Sequence, residues 1–307
     1  MGTRSASGDG VGAAEGERVG ERGSIRPRGH GRGHGRGRGS GPPVSDRGSH
    51  GTFAPVRVYA HRGSTILAPE NTLVAFDLAL GFGAHVLETD VRLSRDGEVF
   101  VTHDARLERT TDGRGAVREH TAAALSRLDA AYRFVDPEGR AARGCGARLV
   151  TLGTLLEHYP RTLVNVDIKD PDPAAAEAVA RVIARHAAES RVTVGSFDEA
   201  TLGRFRAVAP EVDTAAGRSE VARLYFGRFL GRRGSTAPLP YRWLQIPPVW
   251  HGIPLAAPAF IETARARGIG TIYWTINEPE RMRVLIERGA SGIVTDRPDL
   301  ARTVTAD

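Results

Sequence analysis

The sequence predicts an α/β protein whose body is a (β/α)8 barrel, and three observations carry that reading. From Phe53 onward, about 255 residues alternate short apolar runs with amphipathic stretches, the pattern of parallel strands covered by helices. That length matches the ~250 residues such a barrel commonly needs. Polar residues also close one apolar run after another: His61–Arg62, Glu88–Asp90, Asp167–Lys169, Ser196, Gln245, Trp274–Asn277 and Asp296. The C-terminal strand ends are where a barrel of this kind carries its chemistry.

Apolar, β-branched runs place strands at 56–61, 85–91, 98–103, 162–168, 191–196, 212–216, 243–247, 270–276 and 292–295. Helical spacing places helices at 71–82, 151–158, 173–188, 198–208, 218–230, 258–267 and 279–288. Gly63, Gly83, Gly268 and Gly289 fall near element ends, where stop signals belong. Nine strands are one too many for the barrel. Only eight residues, including the turn Ser94–Gly97, separate Asp90 from Val99, whereas a parallel crossover needs about a dozen or more. Residues 98–103 are therefore expected to return antiparallel as a hairpin after strand two. His103 then reaches the barrel mouth from a loop, and His61 from strand one. Residues 104–150 form an insertion, read either as a lid over the mouth or as a packed excursion.

Composition narrows the class further. No apolar run approaches the ~18 residues of a membrane span, and the single cysteine, Cys145, rules out an internal disulfide framework. The formal charge of +6 is uneven: residues 1–50 hold nine arginines against five acids. Residues 1–52, with GHGRGHGRGRGSG at 29–41, are read as a disordered tail, because they contain too little apolar surface to order. The tail also lacks the continuous apolar core of a secretory signal, so a cytoplasmic protein is expected. An arginine–glycine tract is able to bind RNA or acidic lipid heads electrostatically, but a solvated extension is the simpler reading. No obligate nucleic-acid partner is expected.

Residues 60–104 concentrate the chemistry: His61, Arg62, Glu70, Asn71, Glu88, Asp90 and His103. Glu88 and Asp90, two apart on a strand, face the same side, and so do Asp167 and Lys169. Close carboxylates are unfavourable unless a cation or proton lies between them. Three carboxylates, Glu88, Asp90 and Asp167, suit Mg2+ or Ca2+; Zn2+ is the rival, with imidazole among its ligands. Arg62 and Lys169 provide positive charge for phosphoryl oxygens, and Arg62 is also placed to pair with Glu70. Asn71 is expected to cap the helix that follows it.

The words H-R-G at 61–63, P-E-N-T at 69–72, E-x-D at 88–90 and H-D at 103–104 occur in order. So do D-I-K at 167–169, W-T-x-N at 274–277 and Asp296. Together the sequence resembles the glycerophosphodiester phosphodiesterase family over roughly residues 56–300. That resemblance implies cleavage of a glycerophosphodiester to glycerol 3-phosphate and an alcohol. His61 and His103 would be the acid–base pair, Glu88, Asp90 and Asp167 the metal ligands, and Arg62, Lys169, Glu70, Asn71 and Trp274 would contact the substrate or its phosphate. The family usually has glutamate where this chain has Asp167, one methylene shorter but still an oxygen ligand.

Two other readings accompany this one. A lysophospholipase D or sphingomyelinase-D-like phospholipase would use a similar constellation on a lysophospholipid, although the intact P-E-N-T word suits the phosphodiesterase better. The segment RLYFGRFLGRRG at 223–234 mixes aromatic residues with arginines, a composition suited to weak membrane-surface contact or to an outer barrel helix followed by a basic loop. A non-catalytic RNA- or membrane-binding module is the reading from a different class, and the intact catalytic words oppose it.

Overall fold

The computed structural model describes residues 55–230 and 238–305; the tail assigned to residues 1–52 lies outside the described residues. The chain runs from β1 (Arg57–His61) through α1 (Leu73–Gly81) to β2 (Val86–Leu93) and β3 (Val99–Val101). It then passes α2 (Ala122–Leu125), α3 (Leu152–His158), β4 (Leu163–Ile168), α4 (Pro173–Arg185), β5 (Val192–Gly195), α5 (Glu199–Val208) and β6 (Asp213–Thr214). The last third holds α6 (Arg218–Gly227), β7 (Trp243–Ile246), β8 (Val249–Trp250), β9 (Ile253–Pro254), α7 (Pro258–Arg265), β10 (Gly270–Tyr273), α8 (Pro279–Glu287), β11 (Gly292–Thr295) and α9 (Pro298–Thr305).

Eight parallel strands follow the order β6-β5-β4-β2-β1-β11-β10-β7. The ring closes where Ala215, just past β6, bridges Trp243 in β7. Across this seam the Ala216 N–H donates to the Trp243 carbonyl at 2.8 Å and the Arg242 N–H to the Thr214 carbonyl at 3.0 Å. β3 pairs antiparallel with β2, Val91 opposite Val101, as the short spacing requires. Tyr59, Val86, Ile272 and Val294 form one buried cluster, with Gln245 donating from β7 to Asn165 on β4 at 2.5 Å. Residues that alternate with these, such as Leu87 and Val166, pack with Phe76 and Phe205 in the strand–helix layer. This alternation turns Val86, Glu88 and Asp90 to one face of β2 and Leu87 to the other.

Helix starts follow local chemistry. Thr151, Asp172 and Asp198 accept from backbone N–H groups in the first turns of α3, α4 and α5, satisfying donors that have no partner within the helix. The cap of α1 corrects the expectation for Asn71: it is Thr72, at φ −119°, whose side chain accepts from Ala75 N. Asn71 has φ 59°, a left-handed conformation outside the extended one that capping requires. Its N–H instead donates to the Arg62 carbonyl at 2.8 Å, and its Oδ1 accepts from Thr89 at 2.7 Å.

Residues 104–150 take the second of the two forms expected of them. Leu107, Val117, Leu125, Ala130 and Leu149 pack with Phe100 of β3 in a separate small core, and none of residues 104–150 lines the cavity at the C-terminal strand ends. Three elements were not foreseen: α2, α9 and the β8–β9 hairpin. The hairpin's strands have only two residues each, too short for an alternating pattern. Its turn carries a signal, because His251 and Gly252 have φ 46° and 81°, the paired positive values of a tight two-residue hairpin loop.

Candidate active site

The site begins with a turn that admits only glycine at its third position. After β1, Arg62 has φ 53° and Gly63 φ 84°. A Cβ on Gly63 would stand 2.7 Å from the backbone carbon of Ala75 in α1, so both conformation and contact exclude a side chain. The Asn71 bond to the Arg62 carbonyl fastens the P-E-N-T word to this turn.

Strand register supplies the next layer. His61 lies beside Glu88 across β1–β2, and Asp90 beside Asp167 across β2–β4. His61, Arg62, Glu88, Asp90, His103, Asp167, Lys169 and Trp274 all line one cavity of about 450 Å3. Glu70 and Asn71 do not. Glu70 lies partly buried behind Arg62, accepting from Arg62 Nη1 at 3.0 Å and from both terminal nitrogens of Arg109 at 2.7 Å. Burial alone would raise the Glu70 pKa, but the two guanidinium groups outweigh it and hold it below the usual carboxylate range. Arg109 also binds Asp104, and Asp104 meets His103 Nδ1 at 2.7 Å. A chain of alternating charge thus joins Arg62, next to one histidine, to the other histidine.

His61 has its own carboxylate. Its Nδ1 is 2.6 Å from Asp296 Oδ1, and Asp296 also accepts from Thr65 at 2.7 Å and from Asn277 Nδ2 at 2.9 Å. Burial opposes ionisation of Asp296, but these donors prevail and its pKa is lowered to about 2. Burial likewise opposes protonation of His61, yet the Asp296 bond and the nearby Glu88 charge raise its pKa above the ordinary value. An ionised carboxylate only accepts, so Nδ1 of both histidines carries the proton. Nε2 of each ring has no hydrogen-bond partner among the described residues. Asp296 and Asp104 were visible in sequence as a strand end and as the second letter of H-D, but nothing local announced which side chains they would orient.

The carboxylates bear on the implied cation. Lys169 Nζ lies 2.9 Å from Asp90 Oδ1 and 2.5 Å from Asp167 Oδ2, and Arg62 Nε lies 2.9 Å from Asp90 Oδ2. Asp90 Oδ2 is nevertheless buried with no aligned hydrogen bond, which makes its contact with Arg62 an ion pair with a lone pair still unmet. Burial, followed by the charge on Asp90, pushes Glu88 up to about 7. Burial also raises Asp167 despite the neighbouring Lys169. Asp90 is lowered, because Lys169 and Arg62 more than offset its burial. Among the described residues no three potential ligands already stand in coordinating geometry. The donor chemistry fits a hard cation all the same: three buried carboxylates, Asp90 with an open oxygen and Glu88 and Asp167 both held back from ionising by burial.

Comparison with known proteins agrees with this constellation. The Glycerophosphoryl diester phosphodiesterase family model matches residues 61–300. The chain belongs to that family. A Mycobacterium tuberculosis protein named "Probable glycerophosphodiester phosphodiesterase 2" is 35% identical over 255 residues, covering 80% of this chain and 89% of its own. The crystal structure of glycerophosphodiester phosphodiesterase from Agrobacterium tumefaciens shares 29% identity at a TM-score of 0.66, covering 81% of this chain and 100% of that one. An Oleispira antarctica phosphodiesterase, solved in complex with its product sn-glycerol-3-phosphate, has the same fold at 24% identity and a TM-score of 0.68, covering 82% and 98% of the two chains. In this glycerophosphodiester phosphodiesterase the H-R-G, E-x-D, H-D and D-I-K words converge on one cavity. P-E-N-T lies behind it and positions Arg62.

The other side of the same cavity was foreseen only at Trp274 and at the polar strand ends Ser196 and Gln245. Phe197 follows β5 and meets Trp274 edge to face at 6.1 Å. Val221, Ala222, Tyr225 and Phe226 come from α6, and Trp250, Ile253 and Leu255 from the hairpin region. Among the described residues no helix is long and apolar enough to cross a membrane.

Proposed function

We propose that this enzyme hydrolyses glycerophosphodiesters to sn-glycerol 3-phosphate and an alcohol, in the turnover of glycerophospholipid headgroups, using His61 and His103 for acid–base catalysis and a divalent cation, Mg2+ or Ca2+. One observation carries the proposal: two imidazoles line one cavity, each tied through Nδ1 to a carboxylate and each left with an unpartnered Nε2. An imidazole held this way takes or gives a proton at Nε2 alone, as in-line cleavage needs on its two sides. One histidine removes the proton of the attacking hydroxyl, from water or from the glycerol 2-OH. The other delivers a proton to the departing alkoxide as the phosphorus–oxygen bond breaks. Arg62 and Lys169 hold the non-bridging oxygens, where charge grows. Glu88, Asp90 and Asp167 would hold the cation, which when bound supplies further positive charge to the phosphoryl group. The product bound to the Oleispira antarctica protein supports glycerol 3-phosphate as the product here.

Phosphorus NMR of glycerophosphocholine turnover tests the reading directly. Glycerol 3-phosphate is the expected product. Phosphocholine as product, or no turnover with either cation, would overturn it.

A further inference from the structure

The lining of the cavity divides into two chemically different halves. In the ionic half both histidines, Arg62 and Lys169 stand with the acids Glu88, Asp90 and Asp167. The apolar half, from α6, the β8–β9 hairpin and the ends of β5, β7 and β10, is mostly aromatic and aliphatic, and Arg218 is its one charged residue. Arg218 opens α6. Its guanidinium lies 5.1 Å from the centre of the Phe197 ring, and Lys169 Nζ lies 5.4 Å from the same centre. One ring thus carries two cations, and the gap between them is within reach of a small headgroup. Lys169 is committed to Asp90 and Asp167, whereas Arg218 makes no ion pair or hydrogen bond among the described residues. The acids beside the start of α6 are engaged elsewhere: Glu199 accepts from Ser219 N at 2.5 Å and Glu220 from Arg206 Nη1 at 2.9 Å. Neither lines the cavity.

A guanidinium presents a fork of donors that matches the oxygens of a carboxylate or a phosphate, and a cleft with apolar walls concentrates its field. An aromatic face also attracts a quaternary ammonium, but Phe197 already serves two cations, and this half holds no carboxylate to offset a third. We infer that Arg218 selects the alcohol: the enzyme prefers glycerophosphodiesters whose headgroup ends in an anionic group, a phosphate or a carboxylate. Arg218 grips that group while Arg62 and Lys169 hold the scissile phosphate. This rests on the phosphodiesterase reading above. The net hydrolysis is unchanged: the bond from phosphorus to the headgroup oxygen breaks, water's oxygen ends on phosphorus, and the departing alkoxide takes the proton.

The test measures kcat/KM on four substrates. Glycerophosphoglycerol has a neutral headgroup, two analogues carry a phosphate ester or a carboxylate at its far carbon, and glycerophosphocholine has a cationic headgroup. At least one anionic ester should exceed glycerophosphoglycerol by about ten- to hundredfold, the usual worth of a charge-assisted hydrogen bond. The better of the two names phosphate or carboxylate as the group recognised. Arg218→Gln should bring that ratio close to one, and Arg218→Glu should invert it. Arg218→Lys should keep only part of it, because a point charge lacks the fork. Added salt should shrink the ratio in the unaltered enzyme. Ratios cancel any general loss that a substitution causes, and a merely structural role for Arg218 would not invert them. A ratio near one for both anions overturns the inference, as does a preference that survives Arg218→Gln. A preference of about tenfold for glycerophosphocholine over glycerophosphoglycerol would make the aromatic wall a cation site and also overturn it. Failure to cleave any of the four with Mg2+ or Ca2+ present would instead sink the phosphodiesterase reading, so the two failures differ.

Discussion

The two halves of the barrel mouth are held in place by different forces. In the ionic half Arg62 and Lys169 pair with Asp90 and Asp167 while each histidine meets a carboxylate, and adjacent strands fix the spacing through His61 beside Glu88 and Asp90 beside Asp167. In the apolar half, Phe226 ends a helix and Trp250 sits on a two-residue strand, both half exposed. Electrostatic stabilisation of a transition state requires groups preorganised to within fractions of an ångström. Burial of hydrocarbon requires area, with little regard to direction. The difference teaches that rigidity is concentrated where charge moves, and that the same cavity tolerates looser construction where only contact is needed.

Removing the cation should break the ionic half most completely. Chelation is expected to abolish turnover, and Mg2+ or Ca2+ to restore it; full activity in metal-stripped enzyme would refute the cation's role. Within that set, Asp167→Glu should retain metal affinity by restoring the family's usual ligand, whereas Asp167→Ala should lose it in calorimetric titration.

His61→Ala and His103→Ala come next, each lowering kcat by roughly 10²–10⁴ with the fold intact by circular dichroism. A nitrophenyl leaving group needs little protonation, so it should rescue the variant that lacks the acid and not the one that lacks the base. Near-normal rates on both choline and nitrophenyl esters would remove that histidine from the mechanism.

Asp296→Asn probes how the ionic half is held. The lowered Asp296 pKa contributes stability above about pH 3.9, its unfolded value, which is lost as pH falls toward 2. The raised His61 pKa contributes stability fully below about pH 6.5, lost as pH rises through its folded value. The pair therefore stabilises most between about pH 4 and 6.5, and losing a charged hydrogen bond there costs about 1.5–3 kcal/mol. Melting curves at pH 3, 5.5 and 8.5 should show the largest deficit at 5.5. A deficit independent of pH would mean that the two groups do not titrate as a pair.

The smallest effect is expected at Arg109, whose half-exposed side chain links Glu70 to Asp104. Exposed pairs are worth about 0.2–1 kcal/mol, so Arg109→Ala should change kcat only a few-fold. A loss as large as that of His103→Ala would show that the inserted segment governs the histidine directly.

The ionic half was legible in the sequence because strand chemistry is local: a two-residue repeat sends Glu88 and Asp90 to one face, and eight residues after Asp90 are too few for a parallel crossover. The apolar half was not, because Phe197, Ala222 and Trp250 come from three separate connections and resemble ordinary core or surface positions one at a time. The cap of α1 shows the limit at close range. Asn71 and Thr72 are both capping types, and only backbone geometry, φ 59° against −119°, decides between neighbours. Asp296 closes the last strand with no neighbouring word to reveal that it would meet His61, 235 positions earlier.

The seam between β6 and β7 gives the barrel a preferred place to breathe. β6 has two residues, against the six-residue register that joins β2 to β4. Amide hydrogen exchange should therefore appear first around 213–216 and last in β2 and β4, as local opening follows the weakest hydrogen-bonded unit. Ala215 and Ala216 of that seam also line the cavity. A momentary parting of the staves would thus widen the apolar chamber sideways, between two strands, while the histidines and carboxylates across the ring keep their register.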